Sequence, residues 1–326
     1  MADVVGIDYP VMDFLVNLDR LPATNGGAGL IDSSWQGGGN VATAMVTLAR
    51  LGGNCGIIAN IGSDLYGDVI EWDFKRHGVD TSRLKRSDGY RTAFSLVLSE
   101  RETAGRSIVY RRGSEPTLDG NDYDYLRRAK YLHVPGVGGV FGEAVDIVRG
   151  AGGSVAVDAG DYSDATMDKM NDIDVLIASE FFFNKVSDDG DIEACCRRMR
   201  RMGPQTVVFT FGERGSAGIG PDGVFFNEPA FAVPATDTVG AGDVYHGAFL
   251  FGLLRGLCAR ECARLANAVS AVKVTRIGGR AAIPDHITLQ KFLETGAIDY
   301  DEIDERVEWY SNALENTIKE TGKFIK

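Results

Sequence analysis

Short apolar runs alternate with amphipathic stretches of helical period along most of this chain, and that alternation restricts the fold more than any single motif. Residues 2–9, 55–61, 131–134, 154–158, 175–178 and 206–210 read as buried strands. Between them, residues 41–51 place apolar groups on one helical face and stop at Gly52-Gly53, and residues 64–77, 142–149 and 260–273 repeat the pattern. Such a rhythm predicts a parallel sheet. Two β-rich pieces break it, residues 12–36 and 90–112. In the second, residues 91–98 and 106–110 read as a hairpin closed by a polar turn through Glu102 and Gly105.

Length and composition narrow the function. The 326 residues suffice for one large α/β domain, and 44% hydrophobic with 25% charged residues is ordinary for a globular chain. A net charge of −12 argues against binding along a nucleic-acid backbone, which rests on excess Lys and Arg. A small anionic ligand remains compatible, because helix ends and single arginines hold it locally. The first residues lack a basic segment followed by an apolar one, and no run approaches 18 uninterrupted apolar residues, so a cytoplasmic protein with no membrane partner is expected. The five cysteines are dispersed, and Cys258 and Cys262, four apart, have no second ligand pair beside them; reduced thiols are expected.

The strongest chemical signal is Asp237-Thr238-Val239-Gly240-Ala241-Gly242-Asp243, which runs into an apolar helical stretch ending near Leu254. Minimal side chains leave backbone N–H groups open to a ligand, and the helix adds the positive end of its dipole. Asp243, in or just before the first turn, can accept a proton from a hydroxyl held beside the same anion. Asp is also a favoured helix cap, and Gly-Ala-Gly also packs tight turns, so spacing alone leaves a purely structural role open. A second glycine run, Gln36-Gly37-Gly38-Gly39-Asn40, opens the helix of residues 41–51 without the Gly-Lys-Ser/Thr of a Walker loop. Asp13 is read at the C-terminal end of the first parallel strand, where open α/β sheets bind ligands. Arg111 and Arg112 leave the second β-rich piece; successive strand residues face opposite ways, so at most one of them faces a site there.

Together, the 237–243 run followed by Val-Tyr-His-Gly-Ala-Phe and the triple glycine near residue 38 resemble the two signatures of the ribokinase-like (PfkB) sugar kinases, over residues 3–293. The resemblance implies a single three-layer α/β/α domain over residues 1–326, with a central mostly parallel sheet. The β-rich pieces 12–36 and 90–112 become a small lid whose exposed strand edges form a homodimer, and residues 294–326 a helical extension outside the usual core. It implies an ATP-dependent kinase that uses magnesium. Asp243 is the base and Gly240, Ala241 and Gly242 the anion hole, while Asp13, Gly38, Gly39, Asn40 and Arg111 hold the sugar. Thr210, Gly212, Gly215 and Asn267 hold the nucleotide. Backbone oxygens near Asp237 and Thr238, with the 274–282 loop, hold a monovalent cation, potassium. The family's Asn-x-x-Glu motif is replaced by Ser179-Glu180-Phe181-Phe182, which leaves Glu180 as the magnesium ligand in a shifted geometry. The Gly278–Asp285 run and Ser179-Glu180 look like sulfofructose kinases, whereas Tyr110-Arg111-Arg112 looks like 2-keto-3-deoxygluconate kinases; fructose and ribose stay open. Phe14, Trp35 and Phe94 keep a nucleoside kinase in view, and the altered motif a catalytically weak sugar- or nucleotide-binding regulator. His246 reads as packing beneath the loop, His77 as a helix C-terminal residue, and residues 307–325 as one amphipathic helix carrying Trp309, Tyr310 and Phe324.

Overall fold

The computed structural model describes residues 2–100 and 106–322. Its strands are β1 (Val4–Ile7), β2 (Val11–Leu18), β3 (Leu30–Gly38), β4 (Cys55–Gly62), β5 (Asp80–Ser87), β6 (Ala93–Glu100), β7 (Arg106–Arg111), β8 (Tyr131–Val134), β9 (Ser154–Ala159), β10 (Val175–Ser179), β11 (Thr206–Thr210), β12 (Ser216–Ile219) and β13 (Phe225–Glu228). Its helices are α1 (Asn40–Arg50), α2 (Leu65–Arg76), α3 (Gly120–Leu126), α4 (Val140–Gly150), α5 (Asp164–Asp168), α6 (Glu180–Val186), α7 (Ile192–Arg201), α8 (Ala241–Leu254), α9 (Ala259–Lys273), α10 (His286–Thr295), α11 (Asp301–Ser311) and α12 (Ala313–Thr321).

Nine strands form the main sheet in the order β13-β12-β11-β10-β9-β8-β1-β4-β5, parallel except at the β11-β12-β13 edge. Inner strands such as β4 are buried at every residue, which is why they read as unbroken apolar runs. β5 escaped the sequence reading because it is the opposite edge, a half-exposed strand of sequence DTSRLKRS whose charges guard an open ladder. Two hydrophobic clusters, one on each side of the sheet, bury helices against it, and α1 and α8 share the same one.

The remaining four strands form a separate sheet, β3-β2-β6-β7, in which β2 runs antiparallel to β3 and parallel to β6. β6 and β7 pair from Phe94–Arg111 to Ser99–Arg106; the turn expected through Glu102 and Gly105 lies outside the described residues.

Residues 301–321 are two helices rather than one, parted at Asn312. Asp301, Glu302 and Asp304 fall in the first turn of α11, where carboxylates meet the positive end of the dipole. Trp309 stacks on Trp72 of α2 with ring centroids 4.3 Å apart, and Arg76 lies 4.8 Å above the Trp309 ring. Arg306 is buried and donates to the carbonyls of Ala281 (2.8 Å) and Ile283 (2.7 Å). The extension is thereby fastened to the loop after α9. Phe324 lies outside the described residues. His77 does cap α2, and its Nε2 also meets the Tyr310 hydroxyl at 2.9 Å.

Candidate active site

Gly240 is the N-cap of α8, with a left-handed backbone (φ 75°) and a neighbour, Gly279 Cα, only 2.9 Å from where a Cβ would stand. Both facts require glycine there. No side chain caps this helix end among the described residues, and Ala241 N–H is already spent on Thr238 O at 3.2 Å. The first-turn amides left to face a ligand are therefore those of Gly242 and Asp243.

Asp243 stands in a field of carboxylates. Burial pushes its carboxyl up to about 8, with Asp158, Asp8 and Asp13 adding to the rise and Lys273 opposing it. Asp8 follows directly on β1, accepts Ala42 N–H at 2.8 Å, and is raised to about 6 by burial. Asp158, at the end of β9, accepts from the Asn40 side chain and lies 3.4 Å from His246 Nε2. His246 is buried beneath the loop as expected and kept neutral, its pKa pulled down to about 3 by burial.

Asp13 corrects the sequence reading of its place. It belongs to β2 of the small sheet, and the carboxylate just past the first parallel strand is Asp8. Burial raises Asp13 to about 6, although the Ser95 hydroxyl donates to it and Arg280 pulls the other way. A Cβ on Gly38 would collide with Asp13 Oδ2, so the triple glycine makes room for this carboxylate. Leu15 and Val97, on the Asp13 face of the sheet, pack with Val239 and Ile277, which sets that face toward the 237–243 loop. Arg280 is fully buried and knits the region, bonding Asp73 (2.6 Å), Gly38 O (2.9 Å) and Thr43 Oγ1 (3.3 Å).

Arg111 does not join Asp13. It pairs with Phe94, one residue out of step with the Ser95–Asp13 row, and so projects from the opposite face, where its guanidinium reaches Thr92 O at 3.3 Å. Arg112 instead acts on Tyr9, the neighbour of Asp8. Phe14, Trp35 and Phe94 share the Arg111 face; Trp35 and Phe94 stack with Tyr66 of α2 and Phe14 stacks on Trp35, so they fill the α2 side of the sheet.

Thr210, Gly212, Gly215 and Asn267 all line one cavity of about 660 Å³, and Thr238, Ala241 and Gly242 line the same cavity. Phe231 and Val233, from the chain after β13, add apolar walls that sequence reasoning missed because nothing periodic marks that connection. Asn267 holds Glu228 O at 3.0 Å and so fixes the edge of the cavity.

The expected metal ligands fare differently. Glu180 is engaged by Arg214 Nη2 at 2.5 Å, and Ser179 caps α6 by accepting Phe182 N–H at 3.1 Å. Among the described residues no group of three His, Cys, Asp or Glu is disposed to hold a metal ion. Near Asp237 and Thr238, the carbonyls of Asp237 (2.9 Å) and Val239 accept from the ammonium of Lys273, so these residues do not fit a free monovalent cation.

The profile of the pfkB family carbohydrate kinases matches residues 1–286. The chain is 24% identical to a 5-dehydro-2-deoxygluconokinase of Clostridium perfringens, over 82% of this chain and 86% of that protein. It is 29% identical to an aminoimidazole riboside kinase of Salmonella typhimurium, over 80% and 89%. In structure it resembles an Arabidopsis thaliana ribokinase complexed with ribose and ATP, at a TM-score of 0.79, 21% identity and coverage of 90% and 99%.

Proposed function

This chain belongs to the pfkB family of carbohydrate kinases and is an ATP-dependent sugar kinase, and on that premise we propose that Asp243 deprotonates a hydroxyl of an anionic sugar as the γ-phosphoryl group arrives. The observation that carries this is a carboxyl set at the mouth of an uncapped helix end, held near pKa 8 by its surroundings. A base of that strength suits proton removal near neutral pH.

In this reading Asp13, Gly38, Gly39 and Asn40 orient the sugar. The N–H groups of Gly242 and Asp243, backed by the turn at Gly240 and Ala241, take up charge on the transferring phosphoryl group. The 660 Å³ cavity along Thr210, Gly212, Gly215 and Asn267 takes the nucleotide, its apolar side toward the base. Magnesium, when bound, would supply charge neutralisation on the ATP phosphates; Glu180, the residue expected to hold it, is paired with Arg214. Dependence on ATP is the argument for a cytoplasmic location, and the exposed apolar edge of the small sheet is the argument for a dimer formed through it.

Arg112 replaces Arg111 as the group that meets an anion on the sugar. 5-Dehydro-2-deoxygluconate carries such a carboxylate, as do 2-keto-3-deoxygluconate and, with a sulfonate, sulfofructose. A panel of these three with fructose and ribose, read by ADP release with magnesium, tests the assignment. The anionic sugars should show the highest kcat/KM, and Arg112→Ala should reduce that preference. A panel won by fructose or ribose contradicts the anionic assignment. The aromatic side chains that favoured a nucleoside lie on the sheet face away from Asp13, which removes their support for that alternative.

A further inference from the structure

We propose that Lys273 is a built-in cation for the phosphoryl-transfer loop, taking the place of a free monovalent ion so that the enzyme works without potassium. The inference rests on reading the 237–243 segment as the transfer loop. Its evidence is the wiring of two chain segments that meet there.

Lys273 sits in the last turn of α9 and is completely buried. Its ammonium donates to Asp237 O at 2.9 Å and, more closely, to Val239 O. Two carbonyl dipoles aimed at one point favour a positive charge between them, and an ammonium on a four-carbon stem is a compact point charge of that kind. The carboxylates of Asp237 and Asp243 also favour its charged form.

The neighbouring oxygens are satisfied by the chain as well. Val274 O accepts the amides of Thr236 (2.7 Å) and Asp237 (3.1 Å), and Ile277 O accepts Gln36 Nε2 at 3.1 Å. The Asp237 carboxylate takes Val239 N–H at 2.9 Å on one oxygen and Gly278 N–H at 2.8 Å on the other. A second cation at the same carbonyls meets both an occupied volume and a like charge.

Val239 O, which Lys273 grips, belongs to the peptide leading into Gly240. Fixing that peptide fixes the left-handed turn and the direction of the Gly242 and Asp243 amides. Lys273 is thus a positioning residue, acting on the anion hole through the backbone. Burial draws its pKa down to about 8 against the pull of Asp237 and Asp243, so the ammonium form prevails below that pH.

The test compares potassium, sodium and tetramethylammonium chlorides at equal ionic strength, reading both phosphotransfer and melting temperature. The wild-type enzyme should show the same kcat/KM and the same melting temperature in all three. Lys273→Ala, and Lys273→Met as the variant that keeps the apolar stem, should be impaired in tetramethylammonium. Potassium should raise the melting temperature and the activity of Lys273→Ala but not of the wild type. Stimulation of the wild type by potassium over the other two salts overturns the proposal, as does a folded Lys273→Ala as active as wild type in tetramethylammonium. If neither variant folds, the wild-type salt series decides. The melting series reads cation binding whether or not a sugar is turned over, so a failed kinase assignment is told apart from a failed lysine assignment.

Discussion

Asp243 carries a conflict created by its position. Its surroundings favour the protonated form up to about pH 8, whereas a base has to be ionised. kcat/KM reports the free enzyme, so it should rise with pH through the neutral range toward pH 8. Asp158 is the foremost charge raising Asp243. Asp158→Asn should therefore move that limb to lower pH, and an unmoved limb would show the two carboxyls to be uncoupled. The same shift has a stability sign. The folded pKa lies above the value of 3.8 for the free side chain, so stability falls as pH rises between the two. The glycine-Asp run was legible because helix caps and anion holes are local. Asp8 and Asp158 were not singled out, although the argument spent on Asp13, a carboxylate past a parallel strand, belongs to them. Lys273 was illegible for another reason: its tie to Val239 spans most of two helices, and no local pattern marks a buried lysine.

Elements hold these residues in place through contacts that single-residue reasoning does not see. α1 and α8 share one hydrophobic cluster and both point their N-termini at the carboxylate group, so the two glycine runs, distant in sequence, meet in space. α11 adds a brace from outside the family core. Arg306 holds the carbonyls of Ala281 and Ile283, and the same loop sends Gly278 N–H to Asp237. Arg306→Ala should cost about 2–4 kcal/mol by urea denaturation, since it strands two buried carbonyls and opens a cavity. A loss below about 0.5 kcal/mol, the size of an ordinary surface change, would make α11 a passive cover. The amphipathic pattern of the tail announced helices but not the break at Asn312. Strand parity allowed the arginine pair at most one inward member, and the Ser95–Asp13 register sets Arg111 on the opposite face from Asp13, while Arg112 lies past the end of β7.

For the molecule as a whole, the strand-helix alternation was enough to read a mostly parallel α/β fold, because buried parallel strands are apolar throughout. The polar edge strand β5 and the short β13 lacked that signal. No described helix is long and apolar enough to cross a membrane. The small sheet leaves Leu30, Ile31, Ile108, Val109 and Tyr110 exposed on its two outer strands. Unpaired ladders of this kind associate. The wild-type protein should sediment as a dimer at micromolar concentration and Val109→Glu as a monomer; a wild-type monomer would leave that edge without a partner copy.

The central claim is that Asp243 acts as the base, and phosphotransfer by Asp243→Asn tests it most directly. With the best sugar of the panel, kcat should fall roughly 10²- to 10⁴-fold. Nucleotide binding should persist, and the melting temperature at pH 8 should rise because the costly carboxylate is gone. Turnover at the wild-type rate in a folded Asp243→Asn would contradict the account.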